Sequence, residues 1–118
     1  VPPDDLGDRG TTEWEKIWLA GYWLSDEQDY HWVAIVARAY DDLEAFRERV
    51  SLDGLVQTGI HGEPVAHPLI REARAAEAVI MKALSTIGFS PTDRARLGLA
   101  EVKRQSALAD LSAKMKSK

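Results

Sequence analysis

His31, His61 and His67 are the side chains of this sequence best suited to hold a metal or move a proton near neutral pH. A zinc site needs ligands at fixed helical or turn spacing, with carboxylate or thiolate partners. His61 and His67 stand six residues apart across a stretch containing Gly62 and Pro64, no HExxH occurs, and cysteine is absent. His67, directly before Pro68, reads better as a residue that caps or precedes a helix. Nucleophilic hydrolysis would need a serine on a strained turn beside a histidine. Ser90 precedes Pro91 instead, where an N-cap commits its hydroxyl to the backbone. Asp41 and Asp42 are neighbours on a helix and point to different faces, a poor acid–base pair. No GxxxxGK[ST] loop is present to cradle phosphates. No catalytic residue, metal site or cofactor is therefore expected.

Charge is the more informative signal. The net charge is −4, but residues 1–30 hold eight acids against two bases, and residues 31–70 six against three. Residues 71–118 reverse this, with ten bases against five acids. Nucleic acid responds to a local basic surface rather than to the total. Arg94 and Arg96 are the first candidates for phosphate contact, because they open a helix with a polar middle. Lys103 and Arg104 follow, then Arg71 and Arg74. In a lone chain an ordinary solvated face explains the same residues. A symmetric ring would repeat each cation in every subunit and sum their potential. Trp14, Trp18, Trp23 and Trp32 suggest base stacking. Glu13, Glu15, Asp26, Glu27 and Asp29 lie among them and would repel phosphate, which favours packing.

The elements that would position these residues are helical. Residues 1–10 read as a disordered lead, and residues 11–118 as one domain. Thr12-Glu13-Trp14-Glu15 is a capping box for a short helix with Trp14, Ile17, Trp18 and Leu24 inward. Ser25-Asp26-Glu27-Gln28 starts a long helix that ends near Leu52-Asp53-Gly54, spanning roughly 40 Å. Along it Trp32, Val36, Ala39, Leu43, Phe46 and Val50 form a coiled-coil-like seam. Tyr30, Val33, Ala37 and Tyr40 form a second stripe on its first half, which calls for two partners early and one late. Residues 11–54 thus form an aromatic-rich half, with Trp32, Val36, Leu43, Phe46 and Val50 as expected anchors between subunits. Residues 55–67 read as a hairpin or extended loop, with Leu55–Thr58 opposite Pro64–Ala66.

Residues 68–118 form a basic helical half. Pro68 opens a third helix whose face is Leu69, Ala73, Ala76, Ile80, Ala83, Leu84 and Ile87. Gly88 ends it in a Schellman cap, with Leu84 and Phe89 as the apolar pair. Ser90 caps the next helix, Pro91 is its first residue, and Asp93 sits over its positive end. That fourth helix is expected to run from Pro91 to about Lys114, with Ala107, Leu108, Leu111 and Met115 as a late apolar stripe.

The run from His67-Pro68-Leu69 through Ile87-Gly88-Phe89-Ser90-Pro91 to Arg94-Ala95-Arg96-Leu97 resembles the small subunit of tailed-phage DNA-packaging terminases. The match is best over the second half. The resemblance implies a non-catalytic protein that recognises double-stranded viral DNA, recruits and regulates the large ATPase–nuclease subunit, and forms a homo-oligomeric ring. It implies action in the host bacterial cytoplasm. Many relatives contact DNA through an N-terminal helix-turn-helix, but the corresponding region here is acidic. The alternative reading is a helical structural oligomer, such as a head–tail connector, with no nucleic-acid role. No signal-peptide pattern opens the chain, and no apolar run is long enough to cross a bilayer. A mainly α fold of about four helices with a short β-hairpin follows from all of this.

Overall fold

A computed structural model describes residues 1–96, 98 and 108–115. The elements run α1 (Asp8–Ala20), α2 (Asp26–Asp53), β1 (Val56–Thr58), β2 (Pro64–Ala66), α3 (Pro68–Thr86) and α4 (Pro91–Arg96). Residues 108–115 are helical again. The expected mainly α fold with one short hairpin is what forms.

α2 is the spine, because most of both of its apolar stripes is buried within the same chain. Val36, Ala39 and Leu43 are buried in one core with Ala73, Ala76, Ile80 and Ala83 of α3. Alanines supply most of the α3 face, which lets the two helices approach closely. The second stripe meets α1: Tyr30 packs edge-on to Trp14 at 5.1 Å, and the Arg9 guanidinium lies over the Tyr40 ring at 5.3 Å. Val33 and Ala37 between them are fully buried.

α1 starts earlier than its local signals indicate. Gly7 is the N-cap and makes no side-chain cap; the first turn is capped from α2 instead. The Asp41 carboxylate accepts the Gly7 and Gly10 N–H groups, each at 2.7 Å. Thr12, expected to cap, lies inside the helix, and its hydroxyl donates to the Asp8 carbonyl at 3.0 Å. Residues 8–10 are therefore helix rather than lead, and Arg38 ties Asp5 down at 2.9 Å. Gly10 is needed for this approach. A Cβ there would stand 2.8 Å from the Ala37 carbonyl oxygen. Removing the carboxylate in Asp41→Ala leaves two donors without their partner. It is expected to cost about 1–2 kcal/mol in urea unfolding, with Asp41→Asn falling between it and the native chain.

The hairpin pairs Val56 with Ala66, Gln57 with Val65 and Thr58 with Pro64 in antiparallel register. The α3–α4 corner has the geometry of a Schellman cap. Phe89 N–H donates to the Leu84 carbonyl at 2.9 Å, and Gly88 N–H to that of Ser85 at 3.1 Å. Gly88 makes this possible at φ 90°, a left-handed conformation that is costly for any residue with a Cβ. Gly98 is also left-handed, at φ 78°, and its N–H donates to the Ala95 carbonyl at 3.1 Å. α4 accordingly stops at Arg96 instead of running unbroken to Lys114. Among the described residues no helix is long and apolar enough to cross a membrane.

Candidate functional site

Two polar knots fix the ends of α3, and the exposed cations are arranged around them. At its start His67 is buried, and its Nδ1 accepts the Leu69 N–H at 3.1 Å. That leaves Nε2 as the protonated nitrogen, which donates to Asp53 Oδ2 at 3.0 Å. The ring therefore caps α3 and ties it to the end of α2. His31 and His61 are exposed and belong to other elements. Among the described residues no three histidine or carboxylate side chains are grouped to hold a metal.

At the other end, Asp93 Oδ2 accepts the hydroxyls of Ser85 at 2.7 Å and Ser90 at 2.6 Å. Ser90 Oγ in turn accepts the Asp93 N–H at 3.0 Å, as the N-cap reading requires. Trp23, from the α1–α2 connection, clamps the same corner. Its indole N–H donates to the Ile87 carbonyl at 2.6 Å, and its ring packs on Phe89 at 5.0 Å.

These knots set a pH response. The hydroxyls of Ser85 and Ser90, with Arg96 beyond them, hold the Asp93 carboxyl below its ordinary value of 3.8. His67 and then Arg49 lower Asp53, and the hydrogen bonds from Arg38 lower Asp5. Each carboxylate is thus favoured by the fold. Its contribution is complete above the unfolded value of 3.8 and is lost as pH falls through the lower native value. Melting temperature is expected to hold down to about pH 4 and then fall. Asp93→Asn should flatten that fall in thermal scans against pH.

The cations divide into committed and uncommitted groups. Arg94 is half-buried: its guanidinium lies over the Trp23 ring at 5.5 Å and reaches the Gly88 carbonyl at 3.4 Å. Arg96 is exposed but pairs with Asp93 at 3.1 Å. Arg71, Arg74 and Lys82 are exposed on the side of α3 away from α2, and make no ion pair among the described residues. They fall within about one quarter of the helix circumference at 100° per residue. Lys103 and Arg104 lie outside the described residues.

A family model for the small subunit of phage terminase matches residues 10–104. The chain belongs to the phage terminase small-subunit family. No curated protein and no solved structure shows a significant match. Membership places this small terminase subunit in phage DNA packaging.

Within the small subunit, the five expected interface residues separate. Val36, Leu43 and Val50 are buried in the single chain, so they cannot be surface anchors. Val36 and Leu43 share one core with the alanine face of α3 in the same molecule. Trp32 remains 38% exposed, and Phe46 is half-buried and packs against the core of its own chain. Sequence reasoning did not find the roles of Asp41 or Trp23. Asp41 acts over a separation of 31 to 34 residues, and Trp23 over 64, so no short motif records either role.

Proposed function

We propose that this terminase small subunit works as a homo-oligomer that binds double-stranded viral DNA and regulates the ATPase and nuclease of the large subunit. Small terminase subunits are generally non-catalytic. The action belongs to the host bacterial cytoplasm, where packaging occurs. The observation that carries the DNA contact is the outer face of α3, where Arg71, Arg74 and Lys82 are exposed and unpaired among the described residues. Ala75 and Ala78 between them keep the surface low, so a phosphate backbone can approach the helix closely. Repetition of this ridge around an assembly sums the attraction without base contacts. The acidic α2 would face away from the duplex. Trp32 and Phe46 supply the apolar part of the contact between copies.

A duplex titration at low and at physiological salt tests the reading. Affinity should fall with salt, log K dropping by about 0.9 per phosphate neutralised for each tenfold rise in salt. Adding the protein to its cognate large subunit should change ATP turnover. No duplex binding at low salt, together with unchanged turnover, would overturn the proposal.

A further inference from the structure

Among the described residues, two exposed apolar faces stand out. The first is a groove of about 390 Å³ between α2 and α3, floored by Ala39 and Ala76 and walled by Ile35, Phe46 and Val79. Ile35 and Val79 are 41% and 43% exposed, unusual for residues beside a core. The second is the helical segment 108–115. Its Leu108, Leu111 and Met115 recur at spacings of three and four, so they share one face, and each is at least 55% exposed.

The two faces also complement each other in charge. α2 carries eight acids against three arginines. Of the charged side chains at the groove, Arg38 is paired with Asp5, whereas Asp42 and Glu72 have no ion-pair partner among the described residues. Residues 108–118 carry Lys114, Lys116 and Lys118 against a single Asp110. A cationic helix with an apolar stripe would thus meet an apolar groove with an acidic rim.

The geometry points to a docking site: residues 108–115 of one copy bind as a helix in the α2–α3 groove of a neighbouring copy. In its own chain the segment keeps its stripe in solvent, so the groove is open to another molecule. Because groove and helix are different surfaces, the contact is heterologous. Each copy gives one helix and receives one, which closes into a ring when the rotation permits. This rests on the self-association proposed above, but not on DNA contact. Phe46 serves both, since it lines the groove.

The chain has no cysteine, so engineered pairs read cleanly. Full chains carrying Val79→Cys are mixed with isotopically heavy full chains carrying Leu111→Cys, oxidised, and separated by mass. Val79→Cys is close to isosteric and removes no polar partner. The expected product is a heavy–light pair joined between the two positions, in excess over like–like pairs. Leu111→Asp in the full chain should raise the concentration needed for assembly by about tenfold or more. Absence of the mixed pair overturns the site. So does a chain carrying both substitutions that closes only on itself, because the segment then folds back in its own molecule. An oligomer in native mass measurement without the mixed pair defeats this docking and leaves the assembly itself standing. A monomer defeats both.

Discussion

Trp14→Ala is expected to lower the stability of the chain by about 3–5 kcal/mol, read from urea unfolding followed by circular dichroism. The side chain is 5% exposed and is the centre of α1's attachment. It meets Trp18 edge-on at 5.7 Å and Tyr30 of α2 at 5.1 Å. α1 has thirteen residues, too few to hold a helix in water alone, so its structure depends on docking. The loss should therefore be regional. Amides of α1 should exchange faster while those of α2 and α3 stay protected, and the three remaining tryptophans report whether the Trp23 corner survives. Trp14→Phe keeps much of the apolar area and should lose far less, within about 1–2 kcal/mol. A cost for Trp14→Ala below about 1 kcal/mol would show that α1 is held by something other than this side chain.

The helices were legible because their signals are local and periodic. The seam of α2 and the alanine face of α3 repeat every three or four residues, and a helix records that spacing directly. The Schellman corner was legible to the residue, since Leu84, Gly88, Phe89, Ser90 and Asp93 each do what their type and position require. What failed was assigning partners. Val36, Leu43 and Val50 look the same in sequence whether α3 or a second chain covers them. Only the fold shows that the chain covers them itself. Thr12 failed for a related reason. A capping box is a local bid for the first turn, and Asp41, 31 to 34 residues from the amides it accepts, supplies stronger charged acceptors that move the cap five residues earlier, from Thr12 to Gly7. Gly98 is a local stop signal that the sequence pattern masks, because Leu97 and Ala100 continue the helical spacing on either side of it.

The same distinction between local and tertiary information bears on which arginines are free to meet the proposed duplex. By position Arg94 and Arg96 are the natural choice, since they open a helix after a turn. The fold occupies one with an indole and a carbonyl and the other with a carboxylate. A cation already paired offers a phosphate less, because its existing partner must be displaced first. Arg71 and Arg74 have no such partner among the described residues. The double variant Arg71→Glu with Arg74→Glu is accordingly expected to weaken duplex binding by about 100-fold at moderate salt and to lower the salt slope by about two contacts. Its melting temperature should be nearly unchanged, because both side chains are exposed and unpaired. Arg96→Glu should have the opposite profile. It places a like charge beside Asp93, loosens the α3–α4 corner and alters affinity little. If the double variant keeps its affinity and slope while Arg96→Glu loses both at constant stability, the DNA surface lies on α4, and the exposed ridge of α3 is only a solvated face.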